Sequence, residues 1–376
     1  MRLFMLLILL LAVTGTAAQE TEEPAPATIE TPTETQFRQG LTRTGVFDSP
    51  AIRKEPALRW AFDVPRPVRT TAAVAGGLVY IGSENGTLYA LDVLLGVEVW
   101  TFDTDRPIVS TAAVVEGVLY VGGLDGSIYA LDPGTGDLIW QQGTGDDVYS
   151  SPLVVADTVY IGSLDDHLYA LNAATGELRW RYDTGGQVWS SPAYADDLVV
   201  VGSRGDSIHA VDAATGERRW KFEVKGNVNA TPAIVDGVVY IGAGDGLFYA
   251  LDLNTGDRLW TFDVGSPVFA SAAVSEGRLY VFGLDGMLYA LDTAAGAELW
   301  TFDLGSPAYS SPSLAGNVVY ALSEAGGLLY ALDAEAGTLL WQIETGSEGD
   351  FRSAAPVLVE GTLFISSNTE GLLVLD

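Results

Sequence analysis

Eight tryptophans keep time along this chain. Trp60, Trp100, Trp140, Trp180, Trp220, Trp260 and Trp300 stand 40 residues apart, and Trp341 follows after 41. A unit of that length cannot bury its own apolar face and must stack on copies of itself, so the period restricts the chain to a solenoid or a propeller. The copies are explicit. SENGTLYALDVLLGVEVW ends at Trp100, GLDGSIYALDPGTGDLIW at Trp140, SLDDHLYALNAATGELRW at Trp180 and AGDGLFYALDLNTGDRLW at Trp260.

Each unit carries four strand signals. A small, β-prone stretch such as VYSSPLVV (148–155) precedes an apolar run such as VYIGS (159–163). Turns such as Glu84-Asn85-Gly86 and Leu124-Asp125-Gly126 lead into LYALD, and Asn-Gly or Asp-Gly supplies the positive backbone angles of a tight hairpin. A second turn, AATG or PGTG, leads into a strand ending W-x-F/Y-D/E. No segment has helical periodicity. Four antiparallel strands per unit describe a propeller blade.

The strand count fixes the number of blades. Eight fourth strands surround the eight timed tryptophans, beginning at ALRWAFDV (57–64), and eight trios run from Val68 to Asp376. The chain thus starts on a fourth strand and stops after a third. Pairing these orphans closes the ring and removes an exposed sheet edge. The expected fold is all-β, an eight-bladed propeller over 57–376 preceded by a lead-in at 37–56. The timed tryptophans are then expected to pack between neighbouring blades, each costing about 3–5 kcal/mol if truncated. Asp92, Asp132, Asp212, Asp252, Asp292 and Asp333 of LYALD are expected to cap the following turn. Asn172 stands in for Asp in one blade, which suits a cap and does not suit an obligatory ion ligand.

Formal net charge is −30, with 19 basic against 49 acidic residues. Such a surface repels nucleic-acid phosphate and anionic lipid. It fits either salt adaptation or an ordinary soluble surface. The apolar run LFMLLILLLAV (3–13) is too short to span a bilayer of about 30 Å. With TGTAA behind it, the run reads as a signal peptide over 1–18, which places the mature chain in a secreted or periplasmic location without a transmembrane segment. There is no cysteine, so no lipoprotein anchor, disulfide, thiolate metal site or covalent haem is expected. Residues 19–36, QETEEPAPATIETPTETQ, read as a flexible acidic linker.

The LYALDxxTGxxxW motif, with V-x-SSP in the first strand, resembles the pyrroloquinoline-quinone-like (PQQ-like) repeat family over about 57–376. FRQGLTRTGVF (37–47) resembles segments that precede such propellers. Two branches bear on function. Quinoprotein dehydrogenases bind PQQ and calcium and oxidise alcohols or sugars; BamB-type assembly factors are non-catalytic scaffolds that bind proteins. The resemblance to the first branch implies a cysteine pair and long inserted loops, which this chain lacks. The expectation is therefore no cofactor and no metal, with PQQ and calcium entering only under the dehydrogenase alternative.

Other chemistry has little material. His167 and His209 are the only histidines, and His209 replaces the Tyr of LYALD, which reads as packing. Asp165-Asp166 and Asp245 sit in turns that favour Asp anyway. No carboxylate pair is marked for glycoside hydrolysis.

The repeats do single out one ring. Before the small pair of the first strand, the repeats vary through Arg69, Val109, Tyr149, Trp189, Asn229, Phe269, Tyr309 and Arg352. Small residues suit the axis where blades converge, so the variable position should ring one mouth of the central channel. That explains Trp189, the one tryptophan off the beat. Four aromatics and two arginines at a mouth suit a binding hot spot, or equally a plug that packs on itself. The expected role is a non-catalytic monomeric module that engages a protein or peptide at the mouth. A PQQ-dependent dehydrogenase and a carbohydrate-binding propeller are the alternatives.

Overall fold

The computed structural model describes residues 29–275, 277–323, 327–345, 354–367 and 369–376. The expected signal peptide at 1–18 lies outside them, as does the linker as far as residue 28. The described strands form eight sheets, and no helix occurs among the described residues. Blade 1 runs Ala73–Ala75, Leu78–Gly82, Thr87–Asp92 and Glu98–Asp103, each strand antiparallel to the last. Blades 2–7 repeat this order. Blade 8 takes its outer strand, Leu58–Phe62, from the start of the chain and pairs it with Gly371–Leu375. Ala57 and Asp376 exchange both backbone hydrogen bonds, at 2.8 and 3.0 Å. The closure expected from the strand count is thus the closure observed.

Packing follows from the repeat. Second and third strands are almost wholly buried, and outer strands are mostly exposed apart from the Trp and the residue two positions beyond it, an aromatic in most blades. Seven of the eight timed indoles reach across to the next blade. Trp100 Nε1 donates to Pro133 O at 2.9 Å, Trp140 to Ala173 O at 2.8 Å and Trp220 to Leu253 O at 2.7 Å, and the other four up to Trp300 act alike. A left-handed glycine of the next blade lies flat on the ring; a Cβ on Gly136 would sit 2.6 Å from Trp100. Trp341 faces blade 8, whose corresponding turn is divided between the two chain ends, and it donates instead to Ile52 O of the lead-in at 2.8 Å. The aspartates of LYALD accept two backbone N–H groups of the turn that follows, and Asn172 does the same with Ala174 and Thr175.

Two expectations need correction. The innermost strands hold three residues, such as Leu153–Val155, where VYSSPLVV was read as one strand. Pro152 has no N–H to give to a ladder, and the residues before it bond to the neighbouring blade instead. Residues 29–36 are also not a flexible linker. Ile29 is buried, Gly76 N–H donates to Pro32 O, and Thr35 exchanges backbone bonds with Val114. The reason is the exposed inner edge of every blade. From Pro32 to Ser49 the chain passes those edges in turn: Gln36 pairs with Val154, and Leu41, Thr42, Thr44 and Gly45 accept from Tyr194, Ile234, Val274 and Leu314. Val46–Phe47 adds a parallel strand to Ser313–Ala315, and Ser49 Oγ accepts from Gly361. One segment thereby satisfies backbone groups in all eight blades, a general remedy for unpaired edges.

Candidate functional site

The lead-in also closes the channel. Arg38 and Arg43 turn inward, 3% and 0% exposed. Arg43 donates from Nε to Pro192 O at 3.1 Å and from Nη2 to Pro152 O at 2.7 Å, while Arg38 reaches Ala272 O and Pro312 O. Neither meets a carboxylate among the described residues. Burial pulls both guanidinium groups down to about 9, and Arg38 adds to the effect on Arg43. Two buried cations held by carbonyls alone are costly, and both stay protonated at neutral pH. Arg43 lies 5.8 Å from the centroid of the Phe37 ring, which faces the channel.

Above Phe37 the channel opens as a cup of about 420 Å³, within the range of small-ligand sites. Its wall is a ring of hydroxyls from the second residue of each small pair. Thr71 N–H donates to Thr111 Oγ1, Thr111 to Ser151, Ser151 to Ser191, Ser191 to Thr231, Thr231 to Ser271 and Ser271 to Ser311, each at 2.9–3.3 Å. Ala355 N–H donates to Thr71 Oγ1 at 3.0 Å. The circuit lacks one link, because Ala355 offers Ser311 no oxygen. Small size alone accounts for these residues in the sequence, but the 40-residue recurrence of Ser or Thr at one position is also the signal of hydrogen bonding between blades.

The rim holds the variable series. Arg69, Val109, Tyr149, Trp189, Asn229, Phe269 and Tyr309 all line the cup. Arg352 lies outside the described residues. Ala355 bonds to blade 1 as Ser151 bonds to blade 4, so the repeat position of Tyr149 counts back to residue 353, one beyond the alignment of the sequence. A one-residue difference in the lead to Pro356 hid that shift. Tyr149 and Trp189 stack at 4.1 Å and 24°. Arg204, on the adjoining hairpin, lies over the Trp189 ring at 4.4 Å. Trp189 is therefore held by two neighbours. Phe269 and Tyr309 lie 6.5 Å apart and near parallel, with Gly244 leaving room beside Phe269: a Cβ there would stand 3.1 Å from the ring. Arg69 pairs with Glu84, and Arg106 with Asp147 at the edge. Asn229 Oδ1 is buried without a hydrogen-bond partner. Sequence reasoning missed Arg204, Glu84 and Phe37, which come from a hairpin turn and the lead-in and are brought in only by closure of the ring.

The histidines stand apart from the cup. His209 is 1% exposed between Tyr182 and Ser207, 3.0 Å from the Tyr182 hydroxyl and 2.8 Å from Ser207 Oγ. Burial first, then Lys221 and Arg218, pull it down to about 4. His167 Nδ1 lies 2.7 Å from Asp165 O in its own turn. The turn aspartates are occupied locally. Asp165 and Asp245 each accept a tyrosine hydroxyl, from Tyr169 and Tyr249, and a backbone N–H from the neighbouring blade. Burial, then the Asp165 carboxylate, push Tyr169 up to about 12. No group of three His, Asp or Glu suited to a metal occurs among the described residues. Among the described residues that line the cup the carboxylate is Glu84, which is taken by Arg69, so these residues do not fit a calcium-bound quinone.

Comparison with known proteins places this geometry. A family model described as the β-propeller of beta-alanine-activating enzyme matches residues 155–375. One described as outer membrane protein assembly factor BamB matches 53–113 and 96–190. No curated protein matches the chain. Among solved structures, BamB from Moraxella catarrhalis is similar with a TM-score of 0.74 at 18% identity, covering 86% of this chain and 98% of that one. A europium-containing methanol dehydrogenase reaches 0.79 at 17%, covering 90% of each. A computationally designed protein, Ika8, reaches 0.75 at 19%, covering 85% and 99%. At such identities the likeness is one of fold.

Proposed function

We propose, from the premise that this chain belongs to the PQQ-like repeat β-propellers and to the propeller family of beta-alanine-activating enzyme, that it is a non-catalytic binding module. Its cup seats part of a protein or peptide partner. One observation carries the reading: seven positions that vary while their neighbours repeat converge on a single blind cup of about 420 Å³. Positions that differ from blade to blade beside nearly fixed neighbours, gathered at one mouth, are what variation of ligand contacts on a shared scaffold leaves behind. The likeness to an outer membrane assembly factor supports a protein partner. The N-terminal apolar run supports work outside the cytoplasm.

The test is selection from a displayed library of random peptides, on the wild type and on Phe269→Ser/Tyr309→Ser. Enrichment of a shared motif by the wild type alone, with both proteins equally folded, supports the reading. Equal enrichment on both proteins, or none on either, refutes it. So does reduction of a dye by the PQQ- and calcium-loaded protein with alcohols or sugars.

A further inference from the structure

We propose that the cup selects an oxyanion, a carboxylate carried on an apolar body. This rests on the binding-module reading and names the chemistry it takes. The hydroxyl wall supplies the first argument. A Ser or Thr hydroxyl has one proton to donate and two lone pairs. Thr111, Ser151, Ser191, Thr231, Ser271 and Ser311 each spend a lone pair on the N–H of the preceding blade. Their own protons have no protein acceptor among the described residues, although the side chains are nearly buried. Six donors around one axis call for a guest rich in acceptors.

Charge supplies the second argument. Among the described residues, the charged groups that line the cup are Arg69, Arg204 and one carboxylate, Glu84. Beneath the floor stand Arg38 and Arg43, whose hydrogen bonds among the described residues all go to carbonyls. A protein of formal charge −30 thus keeps two of its 19 basic residues beneath this cup without a carboxylate partner among the described residues. Of the described acids nearby, Asp147 is paired with Arg106, and the turn carboxylates Asp125, Asp165 and Asp245 are held in their own turns by tyrosine hydroxyls. Buried charge acts over a longer range than screened surface charge, so an anion inside the cup is favoured although the outer surface is acidic. Phe269 and Tyr309 offer the apolar faces for the rest of the guest.

Binding to the whole protein, read by calorimetry at pH 7.5 and low salt, tests this. The probes are an N-acetylated Gly/Ser hexapeptide ending in Phe as the free acid, its C-terminal amide, the amide with Glu before the Phe, and benzoate. The free acid is expected to bind at least tenfold more tightly than the amide. Recovery of that gap by the Glu-bearing amide assigns the carboxylate to a side chain; no recovery assigns it to a chain end. Arg204→Gln is expected to weaken the acid several-fold and the amide little. If that variant loosens Trp189, the wild-type comparison of acid with amide still decides. Equal binding of acid and amide overturns the oxyanion inference and leaves the binding module standing. Binding of benzoate alone supports the inference and overturns the peptide partner. Binding of no probe overturns both.

Discussion

Ala355→Ser should stabilise the protein. The hydroxyl circuit runs from blade 8 through blade 1 to blade 7 and stops there, because Ser311 N–H faces Ala355. No acceptor for that N–H occurs among the described residues. Seven equivalent positions already hold Ser or Thr at 3–6% exposure, so one oxygen fits the repeat geometry without new volume. A net hydrogen bond contributes about 0.5–1.5 kcal/mol, and rescue of an orphaned buried donor moves the value toward about 2. For a domain of this size that corresponds to a rise in Tm of roughly 2 °C. The reverse change, Ser191→Ala, orphans the Ser151 N–H and should cost about 1–3 kcal/mol. Urea unfolding at neutral pH, with the slope unchanged, measures both. A loss of stability in Ala355→Ser, or no cost in Ser191→Ala, would show that the circuit is incidental to holding the blades together.

Trp220→Ala should cost about 3–5 kcal/mol, and Trp220→Phe less, the difference reporting the bond to Leu253 O; equal losses in urea unfolding would remove the bond from the account. Arg43→Ala removes three hydrogen bonds to carbonyls at a fully buried site and should lose about 3–5 kcal/mol, read as a fall in denaturation midpoint. His209 is held below its ordinary value, so the unfolded chain binds the proton first. The stability this group lends is whole above about pH 6.5 and is lost as pH falls toward 4, and His209→Asn should flatten that part of the difference in stability against pH. Tyr149→Ala/Trp189→Ala should abolish peptide capture. It should also lower Tm modestly, since the stack is worth about 0.5–1.5 kcal/mol beyond its buried area.

The wheel was legible in the sequence because its determinants are local and repeated. Asn or Asp before Gly sets the hairpins at 85–86, 125–126, 245–246 and 285–286, and an indole about every 40 residues marks each blade contact. The orphan strand at Leu58–Phe62 could be matched to Gly371–Leu375 by counting alone. The lead-in was not legible in this way. Its Pro- and Thr-rich start has few apolar residues, and its order comes from backbone edges that exist only once the blades are assembled. The ring at the mouth could be aligned through seven copies and slipped at the eighth. The use of Ser and Thr as links between blades was visible as a recurrence, but size alone explained it well enough to hide the hydrogen bond.

Site-directed photo-crosslinking measures the location of the guest most directly. A benzophenone side chain replaces Asn229 in the cup in one protein and Leu138, 49% exposed on the outer strand of blade 2, in another. With the free-acid peptide present, covalent capture is expected from position 229 and not from 138. Capture from 138 alone would move binding to the outer face and contradict the cup.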